Sequence, residues 1–248
     1  MNRNETRAVG APRQENVPIA PRRVAASLCM VVVFLVLMHL AVSYLNHVKG
    51  RDQVFGLVRM FDMLNEGNLP TWYSSTALMA CAGVLGVIAF VRMRQRERFR
   101  WNWMGLALVF VLLSADEAAF IHETVQALLR RGVSKDDSFY GFAAILYPSL
   151  LALAALLANL RFLASLPRRT IILFLFAGAV FVAGAIGMDY VGELHKNAHG
   201  MKNMTFAIMN AAEEALEMFG VVLFLYALLD YVATSVGRLV FTVSSAEV

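Results

Sequence analysis

Three stretches of the 248-residue sequence place carboxylates and imidazoles where apolar side chains otherwise dominate. The first reads Ser114-Ala115-Asp116-Glu117-Ala118-Ala119-Phe120-Ile121-His122-Glu123. The second runs from Asp189 through Glu193, His195 and His199, and the third reads Asn210-Ala211-Ala212-Glu213-Glu214-Ala215-Leu216-Glu217-Met218. On a helix Asp116 and Glu123, seven apart, share one face, as do Asn210, Glu213 and Glu217, while Glu117 and Glu214 lie about 100° round from them. Carboxylates and neutral imidazoles drawn from several helices are the donors that a tetrahedral or octahedral divalent metal requires in place of water. The candidate metal ligands are Asp116, His122, Glu123, Glu193, His195, Glu213, Glu217 and His39, with Glu117 and Glu214 as candidate catalytic acid–base groups. The two cysteines, Cys29 and Cys81, fall in other apolar segments, so hard or borderline ions (Fe, Mn or Zn) suit these donors better than copper(I). Neither a Glu-x-x-His step nor a His-Glu-x-x-His motif is present, so the metal reading rests on position and composition.

The elements that must position these groups are membrane spans. Hydrophobic residues make up 59% of the chain and charged residues only 16%, against roughly 45 to 50% and 25% in a soluble domain. Six segments reach spanning length: about Val24 to Leu45, Thr71 to Met93, Met104 to Glu123, Phe142 to Leu163, Thr170 to Asp189 and Thr205 to Tyr231. The expected fold is therefore all-α and polytopic, with a six-helix transmembrane domain over residues 24–233. A basic, disordered tail over 1–23 precedes it and a short tail over 234–248 follows it. The first apolar segment is too long for a signal peptide and is read as a retained helix.

Arginine placement orients the spans. Arg3, Arg7, Arg13, Arg22 and Arg23 precede the first, Arg92 to Arg100 join the second and third, and Arg161, Arg168 and Arg169 join the fourth and fifth. With Arg238 they put 14 of the 22 basic residues on one side, so both termini are expected in the cytoplasm and the protein in the plasma (inner) membrane. Topology accounts for the net charge of +4, so lipid headgroups rather than nucleic acid are the expected partners. Trp72, Trp101 and Trp103 are placed at membrane interfaces. In the first outer loop Val54, Leu57, Val58, Met60, Phe61 and Leu64 share one helical face, which predicts an additional interfacial helix, either a lid or a surface anchor. Asn68, Leu69 and Pro70 mark the next helix start. Ala179, Ala183 and Gly187, like Ala82 and Gly86, repeat at four-residue spacing suited to close helix packing.

Helical rise puts Asp116, thirteen residues past Trp103, about 20 Å from the inner interface, and Glu213 and Glu217 reach comparable depth from the other side. Asp116, Glu117, Glu213, Glu214 and Glu217 would together cost on the order of 10 kcal/mol if left uncompensated. They must be protonated, hydrated or neutralised by a cation. The sequence thus reads as a membrane protein whose outward-facing carboxylate- and histidine-rich site binds a divalent metal and acts, by hydrolysis or oxidoreduction, on a lipid-like or small apolar substrate. Tyr140 and Tyr147 are placed to orient it. Two alternatives use the same acids: a proton- or cation-coupled transporter or channel, and a non-catalytic assembly subunit. The uncharged runs Met104 to Leu113 and Met218 to Leu229 favour a site over a through-path. P-loop, dinucleotide and nucleophile-elbow motifs are missing.

Overall fold

A computed structural model describes residues 19–50, 56–65, 67–121, 153–154 and 156–237. Its described residues are helical, with no strands among them, and contain five helices long and apolar enough to cross a membrane. This agrees with a multi-pass membrane protein. Most of the expected fourth span, together with Tyr140 and Tyr147, lies outside the described residues.

The first helix, α1, runs Pro21–His47 and opens on a proline, whose missing N–H costs nothing in a first turn. A short α2 (Leu57–Phe61) leads to α3 (Leu69–Arg94), where Asn68 caps the start by accepting from Thr71 N at 3.0 Å. The last turn of α3 carries Arg92 and Arg94, favourable against the helix dipole. Helix α4 (Arg100–Ala119) stops because Phe120 is left-handed, with φ 55°. Helix α5 (Arg168–Val182) passes through a π-turn (Ala183–Met188) into α6 (Asp189–His199). The expected fifth span, Thr170 to Asp189, is therefore the first part of a longer helical rod. Helix α7 (Met204–Tyr231) is capped by Asn203 and ends in a second π-turn (Val232–Val236).

The centre of the bundle is α7, which packs against α1, α3 and α5, while α4 lies along α3. One apolar cluster joins Leu85, Ile88, Trp103, Phe162, Leu225 and Leu228; a second joins Val32, Leu35, Phe61, Met63, Met218 and Val222. Outward faces stay apolar, as lipid contact requires: Met30, Leu112 and Ile172 are each about two-thirds exposed. Trp72 and Trp101 are likewise exposed, but Trp103 is only 2% exposed. It packs on Phe162 and Tyr231 at 4.9 Å, a core residue rather than the expected interfacial anchor. Arginines staple one end of the bundle: Arg169 grips Asp230 through two bonds of 2.8 and 2.9 Å, and Arg92 donates to the Tyr231 hydroxyl at 2.7 Å.

The amphipathic segment expected to lie on the membrane surface is helical for only five residues. Its Phe61, and Met63 just after it, turn inward and are buried against α1 and α7. The small-residue stripe Ala179, Ala183, Gly187 is exposed, and a side chain added at Gly187 or Gly86 would meet nothing within 4 Å. Close approach to α7 occurs elsewhere, from the π-turn at Gly184 and from α5 at Phe181, which faces Gly220.

Candidate functional site

At the end of the bundle opposite the arginine staples, α4 and α7 bring four carboxylates around one cavity of about 140 Å³. Glu117 comes from α4 and Glu213, Glu214 and Glu217 from α7; Met63, Asn65, Asn68, Pro70 and Thr71 complete the wall. Space of this size holds several waters, since one needs roughly 10 to 15 Å³ on the same measure.

The docking of α4 on α3 decides which acid faces the cavity. Ser75 Oγ donates to the Ser114 carbonyl at 2.8 Å and Ser114 Oγ donates to the Ser75 carbonyl at 2.8 Å, so Ser114 points at α3. Three residues on, Glu117 lies on nearly the same side of the helix and reaches the cavity, whereas Asp116, about 200° round, does not line it. Of the two, Glu117, expected as an acid–base group, lines the cavity, and Asp116, expected as a metal ligand, does not. The break at Phe120 also interrupts the register that would stack Asp116 over Glu123. Glu123 and His122 themselves lie outside the described residues.

The α7 acids are held from the other side by glycines. A Cβ at Gly184, in the π-turn, would sit 2.8 Å from the Glu213 carbonyl oxygen and 3.0 Å from Glu217 N, so only glycine allows this approach. One at Gly192, in α6, would be 4.0 Å from Glu213 Oε2. A π-turn widens the helix by one residue and is common beside functional groups. It also brings Asp189 within electrostatic reach of Glu213 and Glu217, which additionally feel each other; Glu217 feels Glu117 and Glu214 as well. Among the described residues no lysine or arginine pairs with Glu213 or Glu217.

His39 and His195, two of the expected ligands, do not line this cavity. His39 is fully buried, and both its ring nitrogens are occupied. Nδ1 accepts from Met63 N at 3.0 Å, which leaves the proton on Nε2 to be donated to the Ala207 carbonyl at 3.1 Å. Such a ring has no lone pair left for a metal. His195 Nε2 donates to Asn203 Oδ1 at 3.1 Å and its ring stacks on His199 at 4.7 Å. Glu193 is paired with Lys196 at 2.8 Å. Among the described residues no three His, Cys, Asp or Glu side chains form a group able to hold a metal ion directly.

Over residues 26–232 the sequence matches the model of a family described as "Domain of unknown function (DUF8692)". The chain belongs to this family. No curated protein and no solved structure is significantly similar to it. In this DUF8692 chain the sequence marked the α7 acids and Glu117 as exceptional, but not the neutral half of the wall. Asn65, Asn68 and Thr71 were legible only as loop and helix-start residues, because capping chemistry and site chemistry use the same side chains.

Proposed function

We propose that this membrane protein binds a hard divalent cation, held through its waters, in the carboxylate cavity. The observation that carries the reading is the position of Glu213 and Glu217. They line a water-sized cavity beside Glu117 and Glu214, within reach of Asp189, with no described cationic partner of their own. Removing several like charges from water together is unfavourable unless an opposite charge joins them. The cavity's size and the spread of its donors suit an ion of the magnesium or calcium kind, which keeps waters and takes one or two carboxylates directly. Iron, manganese or zinc, expected from donor type alone, bind through convergent inner ligands, for which His122 and Glu123 are the remaining candidates.

The site has a floor. Directly beyond Glu217, Met218, Val221, Val222, Leu225 and Leu228 are all at most 6% exposed, an apolar plug that supports a dead-end site over an ion path. A dead-end cation in the outer half of the membrane suits chemistry on a lipid-like or small apolar substrate. Glu117 or Glu214 then serves as the acid–base group, and the cation polarises a substrate oxygen.

Titration calorimetry of the detergent-purified protein with Mg²⁺, Ca²⁺, Mn²⁺ and Zn²⁺ tests this. One saturable divalent site is expected, weakened at least about tenfold, or 1.4 kcal/mol, in Glu213→Gln/Glu217→Gln and unchanged in Glu193→Gln. Absence of saturable binding, or identical binding by a folded double variant, overturns the reading.

A further inference from the structure

Outside the cavity, the end of α6 carries a pair of imidazoles that the proposed function does not use. His195 and His199 are one turn apart on the same helical face, and their rings stack at 4.7 Å with 19° between the planes. Phe206 of α7 lies nearly parallel to the His195 ring at 6.4 Å. Both histidines come after Gly192, the α6 position that approaches Glu213, and neither lines the cavity.

A neighbour fixes the tautomer of His195. Asn203 Oδ1 accepts from Phe206 N at 2.8 Å and Asn203 Nδ2 donates to the Gly200 carbonyl at 2.8 Å, so the amide cannot turn round without losing both bonds. Oδ1 therefore faces His195 Nε2 as an acceptor at 3.1 Å, and Nε2 carries the proton. In the neutral ring the free lone pair is then on Nδ1. One ring N–H donated to a fixed oxygen is the usual condition of a metal-ligating histidine, because the outer bond sets the tautomer and aims the ring. His199 complements it. It is exposed and, among the described residues, engaged only by the ring stack, so it can turn about its side-chain bonds and bring a nitrogen to the same ion. The position also suits a cation: it is the C-terminal turn of an 11-residue helix, the negative end of the dipole. Of the lysines nearby in sequence, Lys196 is paired with Glu193 at 2.8 Å and Lys202 is exposed, where water and salt screen it.

We infer that His195 and His199 form a metal site of their own, a two-imidazole chelate for copper(II) beside the α6–α7 connection. Two imidazoles are too few for a structural zinc centre, which takes four protein ligands. Copper(II) stands at the top of the divalent series and accepts a tetragonal sphere that water completes. The ion exchanges two of its waters for two neutral nitrogens, and no electron is transferred. This site is separate from the carboxylate cavity and does not rest on the function proposed above.

The test is a titration with Cu²⁺ alone of the full chain in detergent, purified without a histidine tag and read by electron paramagnetic resonance. Spin-echo modulation from the remote ring nitrogens counts the imidazoles on the ion. One copper with two coordinated imidazoles is expected. His195→Ala and His199→Ala should each leave at most one, with binding weakened at least about tenfold, the lower bound for losing even an outer partner of a ligand. His199 is exposed, so its variant serves if His195→Ala does not fold. Glu213→Gln/Glu217→Gln should keep the two-imidazole signal. A titration in which that signal never forms overturns the inference, as does a signal that survives in either histidine variant. Loss of the signal in the double glutamine variant would place the ion in the carboxylate cavity and overturn it as well.

Discussion

Substituting Gly184 by alanine probes the contact that sets the α7 carboxylates. The new Cβ would stand 2.8 Å from the Glu213 carbonyl oxygen and 3.0 Å from both Glu217 N and Glu217 Cγ, where ordinary contact begins near 3.4 Å. Two of these three atoms are backbone, so no rotamer change relieves the clash; the π-turn and α7 must separate by about half an ångström, and overpacking of this kind costs about 1 to 3 kcal/mol. Alanine also gains roughly 0.5 to 1 kcal/mol over glycine in a helix, which partly masks the loss. Gly187→Ala supplies the control, because it lies in the same π-turn and its Cβ meets nothing within 4 Å. The propensity gain cancels in the difference, leaving Gly184→Ala about 1 to 3 kcal/mol less stable than Gly187→Ala. Equilibrium unfolding in mixed micelles, followed by helical circular dichroism, measures both. Gly220→Ala, whose Cβ would lie 2.7 Å from Phe181 Cβ and 2.8 Å from Phe181 Cα, should behave like Gly184→Ala. Equal stability of the Gly184 and Gly187 variants would refute the close approach of the π-turn to α7.

The reciprocal serine bonds between α3 and α4 should appear as coupling. Ser75→Ala and Ser114→Ala are expected to cost about 0.6 kcal/mol per lost interhelical bond, at most about 1.7, and to be non-additive in a double-mutant cycle; strict additivity would contradict the pairing. In a chelator, Glu213→Gln/Glu217→Gln should unfold at a higher temperature than the unsubstituted protein, because it removes two like charges from the cavity. Saturating divalent cation should reverse that order, since a ligand at a hundred times its Kd stabilises only the protein that binds it, by about 2.7 kcal/mol.

Much of this arrangement was legible in the sequence, and the rest failed for identifiable reasons. Acids in apolar helices stand out by cost alone, and Glu117, Glu213, Glu214 and Glu217, marked on that ground, line one cavity. Periodicity says which residues share a face but not where the face points. The azimuth of α4 is set by Ser75 and Ser114, and so Glu117 rather than Asp116 reaches the cavity. For the same reason the four-residue stripe at Ala179, Ala183 and Gly187 marks an exposed face, whereas the contact with α7 falls at Gly184, inside a π-turn that 3.6-residue periodicity does not anticipate. His39 was ambiguous in principle: a lone histidine on a span serves equally as a ligand or as a hydrogen-bonding link, and only the positions of Met63 N and Ala207 O decide for the link.

These same features explain how a membrane helix tolerates so much acid. The cost is confined to a cavity with an apolar floor at Met218 and Val222, so water or a cation admitted to the carboxylates need not reach the rest of the bundle. Stability is supplied below that floor, where Leu225, Leu228 and Trp103 pack in one core and Arg169 and Arg92 tie α7 to its neighbours. Above it, the loop before α3 combines buried Phe61 and Met63 with polar contacts, the Met63 N bond to His39 and a turn built on the Asp62 side chain. Along α7 the change from cavity to continuous apolar packing falls between Glu217, which lines the cavity, and Met218, the first residue of its floor.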